Sequence, residues 1–285
     1  MSLNMPNGKR FKKVYLEIGN VCNLNCSFCP GTKRKPRQMT AEEFELAAEK
    51  LRAYTDYLYF HLMGEPLLHP QLERLLQLAC DMGYKVIITT NGTLLEDRAN
   101  ALIESAAVHK VNISLQSFEA NAGGELEAYI NSCAAFAAKA AERGKLSVLR
   151  LWNNNGLDTL NKDICRILEH FFPKPWKESR GSLRLGDRVY LEPGDKFDWP
   201  DMDTKTESAP SFCYGLRDQI GVLADGTVVP CCLDHEGDIP LGNIFTQSVE
   251  EILSSPRATA LHEGFSRRTA VEKLCQSCGY ATRFK

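Results

Sequence analysis

Residues 19–30 read Gly-Asn-Val-Cys-Asn-Leu-Asn-Cys-Ser-Phe-Cys-Pro, so three cysteines fall within a short stretch. They are Cys22, Cys26 and Cys29, in the spacing Cys-x3-Cys-x2-Cys. A compact loop with three thiolates can bind three irons of a 4Fe-4S cubane and leave the fourth iron without a protein ligand. A zinc knuckle needs a fourth Cys or His close by, and buried structural thiols need no such spacing. The spacing therefore favours a cluster with one open coordination position.

The composition of the 285-residue chain is that of an ordinary water-soluble protein, with 44% hydrophobic and 25% charged residues. A formal net charge of -2 gives no general attraction to nucleic acid, and no apolar run reaches membrane-spanning length. We therefore expect neither nucleic acid nor membrane as a partner. Eleven cysteines without a secretory signal favour metal ligation or reduced thiols in a reducing cytoplasm over a disulfide framework. An oxygen-poor, anaerobic habitat is a hypothesis from that cysteine content.

Short β-branched runs alternate with amphipathic stretches between residues 13 and 192, which predicts βα units around a parallel sheet. Thr40 with Glu43 forms a capping box at the start of the first helix. The last helix of this series is predicted at 157–172. Six strands are predicted: Val14–Ile18, Leu58–Leu62, Lys85–Thr90, Val111–Leu115, Leu146–Trp152 and Arg188–Leu191.

Six such units form an incomplete barrel, in which ligands gather at the carboxyl ends of the strands. We predict a core domain at residues 1–192 and a linker at 193–207, where Gly194, Pro200 and several acidic residues occur. Cysteines become frequent again beyond the linker. This indicates a second, cysteine-rich domain at 208–285.

The stretch from Gly19 to Pro30 resembles the signature of the radical S-adenosylmethionine (SAM) enzymes. The resemblance implies an α/β fold with a partial (β/α)6 TIM-like barrel, and SAM bound to the open iron of the cluster. Cys22, Cys26 and Cys29 would then be both metal ligands and catalytic, and Phe28 would lie against the adenine.

Further motifs follow predicted strands and resemble the SAM-binding segments of that family. Met63-Gly64-Glu65-Pro66 resembles the family's Gly-Gly-Glu segment, although Met63 replaces the first glycine. An ordinary turn is the alternative for this segment and for Thr90-Asn91-Gly92-Thr93. Arg150 suits the SAM carboxylate because of its guanidinium fork, but a structural ion pair is equally open. The resemblance implies that Phe28, Gly64, Glu65, Asn91 and Ser114 bind SAM. Gln116, two residues beyond Ser114 on the same strand face, and Arg150 complete the predicted SAM-binding set.

A second set of cysteines lies near the carboxyl end, with Cys213, Gly226 and Cys231 in the spacing Cys-x12-Gly-x4-Cys and Cys275-x2-Cys278 beyond. This set resembles the twitch domain, a truncated SPASM domain that binds one auxiliary 4Fe-4S cluster through four cysteines. A four-thiolate zinc site remains the alternative. Cys232 is left out of the ligand set because adjacent strand residues face opposite sides. Cys80, Cys133 and Cys165 are expected to be small buried hydrophobes.

The resemblance implies reductive cleavage of SAM to a 5'-deoxyadenosyl radical that abstracts hydrogen from a substrate. Four cysteines around the auxiliary cluster would leave no iron for substrate, so we expect a dehydrogenase-like oxidoreductase in which that cluster accepts an electron. Only 21 residues precede Cys22, which favours a small-molecule substrate over a peptide. A maturase that modifies a ribosomally made peptide is the second hypothesis. A non-catalytic iron–sulfur electron carrier is the third.

The expected electron donor is a flavodoxin or a ferredoxin. We hypothesise that it docks on a basic run formed by Lys33, Arg34, Lys35 and Arg37. A solvated acidic linker is the expected role of Glu192, Asp195 and Asp198, with Trp199 beside them. His61 is expected to be a core histidine.

Overall fold

The computed structural model describes residues 11–121, 124–203 and 210–284. The amino-terminal part alternates strands and helices: β1 (Lys13–Leu16), α1 (Ala41–Leu51), β2 (Tyr57–Phe60), α2 (Leu72–Asp81), β3 (Lys85–Thr90), α3 (Leu95–Glu104), β4 (Val108–Ser114), α4 (Leu126–Glu142), β5 (Leu146–Asn154), α5 (Asn161–Phe171), β6 (Lys177–Ser179), β7 (Ser182–Gly186) and β8 (Val189–Asp195). The carboxyl-terminal part contains β9 (Gln219–Val222), β10 (Thr227–Val229), β11 (Gly242–Asn243), α6 (Val249–Leu253), α7 (Pro256–Ser266) and α8 (Lys273–Gln276).

All eleven strands form one sheet in the order β11-β10-β9-β1-β2-β3-β4-β5-β8-β7-β6. The six strands β1 to β5 and β8 run parallel to one another, and helices connect most of them. This confirms the predicted α/β class and the partial barrel. The hairpin of β6 and β7 adds two antiparallel strands at one edge that the sequence analysis did not predict.

The two faces of the sheet differ in what they bury. Alternate residues such as Phe60, Ile113 and Leu149 face the helices and belong to the main hydrophobic core. The intervening residues face the concave side, where the rings of Tyr15 and Tyr59 pack against His61. Because strand side chains alternate in direction, Ser114 and Arg150 also lie on this concave side.

The carboxyl-terminal part continues the same sheet. Strand β9 pairs in parallel with β1, with Val222 opposite Leu16, and β10 returns antiparallel to β9. Strands β9 and β10 form the carboxyl-terminal hairpin, which turns at Asp225-Gly226 with Gly226 at a φ of 84°. Strand β8 runs to Asp195, three residues into the segment predicted as a linker, and residues 204–207 of that segment lie outside the described residues.

Within the described ranges, no helix is both long and apolar enough to cross a membrane.

Candidate functional site

The first cysteine loop leaves the carboxyl end of β1 and is closed by Asn20. The Asn20 side chain donates to the backbone oxygen of Lys35 at 3.0 Å and accepts from the backbone N–H of Arg37 at 2.8 Å. The backbone N–H of Asn20 also donates to the backbone oxygen of Arg37. Asn20 therefore joins the two ends of the loop, which places Cys22, Cys26 and Cys29 at the carboxyl edge of the sheet.

Two asparagine amides donate hydrogen bonds to sulfurs of this loop. Asn121 Nδ2 lies 3.1 Å from Cys26 Sγ, and Asn91 Nδ2 lies 3.9 Å from Cys22 Sγ. The backbone N–H of Leu24 also donates to Cys22 Sγ at 3.5 Å. Burial raises the pKa of all three thiols, and these donors partly offset the rise for Cys22 and Cys26.

Gly64 lies directly against the first cysteine loop. It has a φ of 80°, and a Cβ there would come within 2.6 Å of the backbone oxygen of Gly19 and 2.8 Å of the backbone carbon of Asn20. The next residue, Glu65, donates its backbone N–H to the backbone oxygen of Val21 at 2.8 Å. The close neighbour that excludes a Cβ at position 64 is therefore the backbone of the cysteine loop.

The carboxylate of Glu65 is only 3% exposed and binds two backbone groups. Oε1 accepts from the N–H of Leu67 at 3.0 Å, and Oε2 accepts from the N–H of Asn91 at 2.7 Å. Burial raises the pKa of Glu65, and the two backbone donors act in the opposite direction. Glu65 thus ties the segment after β2 to the segment after β3.

Asn91 connects this network back to the cysteine loop. Its Nδ2 donates to Asn23 Oδ1 at 2.9 Å, and its backbone oxygen accepts from the hydroxyls of Tyr129 at 2.6 Å and Ser117 at 3.2 Å. Asn91 Oδ1 accepts from Thr93. The structure therefore brings together the first cysteine loop, Gly64, Glu65 and Asn91.

A cleft of about 150 Å³ lies beside the loop and is lined by aromatic and amide side chains. Phe28 and Gln116 both border it, together with Trp152, which the sequence analysis did not select. Gln116 was predicted on the strand face of Ser114, but β4 ends at Ser114 and a single 3₁₀ turn, Leu115–Ser117, follows. Gln116 still reaches the cleft, and its Oε1 is buried with no partner among the described residues. The other residues lining the cleft are Ser27, Asn153, Gly156, Leu157 and Lys196.

Arg150 lies opposite Ser114 in the β4–β5 pairing, on the concave face. Its guanidinium stacks on the Trp152 ring at 4.4 Å, and its Nε lies 3.6 Å from a carboxylate oxygen of Glu192. That Nε is buried without a hydrogen-bond partner in the described chain. Burial lowers the pKa of Arg150, and Glu192 opposes the change.

The four carboxyl-terminal cysteines meet in a second, largely apolar cavity. Cys213, Cys231, Cys275 and Cys278 all line it. Burial raises the pKa of Cys231 well above its ordinary value, and the neighbouring thiols raise it further. Across the described ranges, no group of three or more His, Cys, Asp and Glu side chains is arranged to hold a single metal ion.

The remaining cysteines lie elsewhere. The Cys232 side chain packs against the concave-face cluster that contains Tyr15, and it also borders the second cavity. Cys133 lies in α4 and is fully buried, as a small hydrophobe would be. Cys80 and Cys165 are partly buried in helices and pack against the main core.

Two members of the basic run are engaged within the protein. Arg34 forms a fork with the fully buried carboxylate of Glu17, with N–O distances of 2.8 and 2.7 Å. Arg37 pairs with Glu43 and donates to the backbone oxygen of Ala224. Arg34 and Arg37 are therefore paired within the protein, and docking of an electron donor on the run stays a prediction. A buried carboxylate requires a cationic partner, and Arg34 supplies it.

Glu17 also connects the first cysteine loop to the rest of the site. Its two oxygens accept from the backbone N–H groups of Met63 and Ala224, each at 3.1 Å. Arg34 Nε donates to the backbone oxygen of His235 at 2.8 Å. A single ion pair thus links β1, the loop, the segment after β2 and the carboxyl-terminal hairpin.

Glu192 and Trp199 depart from the expected solvated linker, whereas Asp195 and Asp198 are exposed as expected. Glu192 lies in β8 next to Arg150, and the Trp199 ring packs against His235. A Cβ on Gly279 would come within 2.9 Å of the backbone oxygen of Asp198. Asp198 and Trp199 thus contact the carboxyl-terminal part through a backbone approach and a ring contact.

Sequence reasoning missed Glu17, Asn121 and Trp152 as site residues. An acidic residue in an otherwise apolar first strand, Val-Tyr-Leu-Glu-Ile, was the available signal for Glu17. Asn121 contacts the loop from 95 positions away and lies in no recognisable motif.

Two family models match the chain. Residues 16–143 match the radical SAM superfamily, and residues 213–279 match SPASM, an iron–sulfur cluster-binding domain. The two matched ranges contain all seven cysteines predicted to be cluster ligands.

Among curated proteins, the chain is similar to the probable GTP 3',8-cyclase of Methanocella arvoryzae, with 36% identity over 39% of this chain and 36% of that protein. The chain thus spans about a third of the length of that relative. It is also similar to the sporulation killing factor maturation protein SkfB of Bacillus subtilis, with 25% identity over 86% of this chain and 65% of that protein. Among solved structures, BtrN in complex with AdoMet and 2-DOIA superposes with a TM-score of 0.63 at 20% identity, covering 95% of this chain and 93% of BtrN.

Proposed function

We propose that this chain, in which a radical SAM domain precedes a SPASM iron–sulfur domain, is an enzyme that cleaves SAM reductively and oxidises a small-molecule substrate. One observation carries the proposal. The cysteine loop, Glu65 and Asn91 are joined by hydrogen bonds at the carboxyl ends of β1, β2 and β3, with Gly64 packed against the loop, beside the cleft lined by Phe28. Ligands of parallel barrels bind at that edge.

The residues present fit two iron–sulfur clusters and SAM. Cys22, Cys26 and Cys29 would hold a 4Fe-4S cluster with one open iron, which supplies the electron that cleaves SAM to methionine and a 5'-deoxyadenosyl radical. Amide donors already point at Cys22 and Cys26, as the partners of thiolate ligands do. The role of the protein in this reaction would be to bind and orient SAM and to exclude water.

The cleft residues support an assignment of SAM contacts. Phe28 would cover the adenine, and Gln116, whose Oε1 is unpartnered, would bind the ribose together with Ser114. Arg150 would donate its unpartnered Nε–H to the SAM carboxylate. Glu65 would act mainly by holding the segments after β2 and β3 in place, with lone pairs left over for the SAM amino group.

The second cavity supports an auxiliary 4Fe-4S cluster held by Cys213, Cys231, Cys275 and Cys278. Four protein ligands leave no iron for substrate, and this favours overall oxidation of the substrate. We therefore propose a dehydrogenase-like reaction, with a flavodoxin or ferredoxin as the source of electrons.

The second candidate function is maturation of a ribosomally made peptide. The similarity to SkfB extends over 86% of this chain, which favours this alternative. Product analysis separates the two: incubation with SAM, a reductant and either a candidate peptide or a small-molecule library should convert one of them. An oxidised small molecule supports the first candidate, and a modified peptide supports the second.

The enzymatic role itself is tested by incubating the reduced, anaerobically purified protein with SAM. We expect 5'-deoxyadenosine from the wild-type chain and from Cys165→Ala, a matched control outside both sites. The triple variant Cys22→Ala/Cys26→Ala/Cys29→Ala should form none. Absence of 5'-deoxyadenosine from the wild-type protein loaded with iron would favour a non-catalytic electron carrier.

A further inference from the structure

We propose that Asn121 is a positioning residue that raises the reduction potential of the cluster bound by Cys22, Cys26 and Cys29. It would do so through the hydrogen bond from its side-chain amide to Cys26 Sγ. The inference rests on the proposed function, since it requires a cluster at this loop. It adds a residue that lies outside every motif of the sequence analysis.

The Asn121 amide contacts the cysteine loop at two points. Nδ2 lies 3.1 Å from Cys26 Sγ, and Oδ1 accepts the backbone N–H of Asn25 at 3.0 Å. Nδ2 also donates to the backbone oxygen of Ser117 at 2.6 Å. These bonds fix which end of the amide faces the sulfur, because an oxygen turned toward Cys26 would lose both backbone contacts.

The segment that carries Asn121 is itself held on both sides. It forms a 3₁₀ turn, Glu119–Asn121, and the backbone N–H of Ser27 donates to the backbone oxygen of Ala120 at 3.3 Å. The Glu119 carboxylate accepts from the backbone N–H groups of Thr159 at 3.0 Å and Leu160 at 3.4 Å, beyond β5. The amide is therefore held in place before any cluster binds.

An N–H group directed at a ligating sulfur stabilises the cluster more when the cluster carries more negative charge. Reduction adds one electron, so this hydrogen bond favours the reduced state and raises the potential. The comparable donor at Cys22, Asn91 Nδ2, is 3.9 Å from the sulfur, and each of the two amides also donates to a second acceptor. Cys26 therefore has the shorter side-chain donor of the two.

The test is a redox titration of the holoenzyme, monitored by electron paramagnetic resonance without SAM, for wild type, Asn121→Asp and Asn121→Leu. Asp keeps the acceptor for Asn25 but loses the N–H, and Leu loses the N–H without adding charge. We expect both variants to lower the potential of the first cluster. At the wild-type midpoint, the reduced-to-oxidised ratio should fall about three- to tenfold, tenfold being 59 mV for a one-electron couple.

The auxiliary cluster is an internal control, because its potential should not move in either variant. Asn100→Asp, on the exposed side of α3, is the matched control for an added charge. A shift in Asn121→Asp but not in Asn121→Leu would assign the effect to charge and overturn the proposal. Equal shifts of both clusters, no shift, or failure of both variants to load the first cluster would also overturn it. A first-cluster signal that survives the triple alanine variant would instead refute the proposed function.

Discussion

Gly64 shows how a single residue can limit the geometry of the whole site. Its φ of 80° is a conformation that residues with a Cβ rarely adopt, and a Cβ there would overlap the backbone of Gly19 and Asn20. We expect Gly64→Ala to cost about 1–2 kcal/mol for the backbone conformation and about 1–3 kcal/mol more for the overlap. The shift in urea midpoint and the rate of 5'-deoxyadenosine formation measure the two consequences.

Gly31 is the matched control for Gly64. It also has a positive φ, 66°, but a Cβ there would meet nothing within 4 Å. Gly31→Ala should therefore show the conformational cost alone and keep SAM cleavage near the wild-type rate. Equal losses in the two variants would show that contact with the loop backbone does not matter.

His61 makes the free energy of unfolding depend on pH. Burial, reinforced by Arg150 and Lys13, lowers the pKa of His61 to about 3. In the unfolded chain a histidine titrates near 6.5, so between these values the unfolded state binds more protons and acid destabilises the fold. We expect His61 to account for about 2 kcal/mol of the stability lost between pH 7 and pH 5.

The comparison is between wild type and His61→Phe, in urea titrations at pH 7 and pH 5. The variant should lose about 2 kcal/mol less than wild type over this interval, whatever its stability at pH 7. Parallel losses in both proteins would mean that His61 is protonated in the folded state.

The residues of the site differ in how far their roles could be predicted. The spacing of Cys22, Cys26 and Cys29 indicates a cluster loop, because the ligands are neighbours in the chain. Asn121 and Arg34 act on partners 95 and 17 positions away, through contacts that only the folded chain brings about. Arg34 therefore resembled a solvated surface charge in the sequence.

At the scale of single helices and strands, sequence motifs predicted the structure best where every residue of the motif was present. The Thr40 side chain accepts from the N–H of Glu43 at 3.2 Å, and Glu43 Oε2 accepts from the N–H of Thr40 at 3.0 Å, which confirms the predicted capping box. Strand β3 has the predicted bounds. The hairpin of β6 and β7 was missed although Arg180-Gly181, both with positive φ, is a two-residue turn of a favoured type.

The capping box offers a test at this scale. Thr40→Ala removes the acceptor for the first-turn N–H of α1, so we expect a loss of about 1 kcal/mol in the free energy of unfolding. Thr40→Ser keeps the hydroxyl and should stay within a few tenths of wild type. A loss in Thr40→Ser as large as in Thr40→Ala would assign the effect to packing of the threonine methyl group.

At the scale of the whole molecule, the Glu17–Arg34 ion pair connects the amino-terminal part with the carboxyl-terminal part. Glu17 is 0% exposed and Arg34 is 14% exposed. Removing one partner of a buried ion pair typically costs about 3–5 kcal/mol, since the other charge is left unpaired. We expect this loss for Arg34→Met, with release of the carboxyl-terminal hairpin, measured as a lower urea midpoint and faster hydrogen exchange at Ala224.

A double-mutant cycle tests the pairing. Glu17→Gln/Arg34→Met should lose clearly less than the sum of the single variants, because no unpaired charge remains. The exposed pair of Asp163 and Arg166 provides a reference, for which Arg166→Met should cost at most about 1 kcal/mol. Additive losses at Glu17 and Arg34 would show that the two side chains act separately.

Fold class and the location of both thiol sites could be predicted from alternating patterns and cysteine spacing. The way the two parts join could not, because strand pairing between Lys13 and Gln219 depends on segments some 200 residues apart. Nothing in the short run Gln-Ile-Gly-Val indicates whether it begins a separate sheet or extends an existing one.

The pairing of β9 with β1 sets the distance between the two thiol sites. Strand residues advance in steps of about 3.3 Å, and side chains change faces at every step. A one-residue shift of β9 against β1 would displace Cys231, which follows β10, by one residue spacing. The same shift would turn Cys232 away from Tyr15. The distance between the two sites can thus change only by whole-residue shifts of strand register. An insertion before β9 either shifts the register of β9 against β1 or leaves it unchanged.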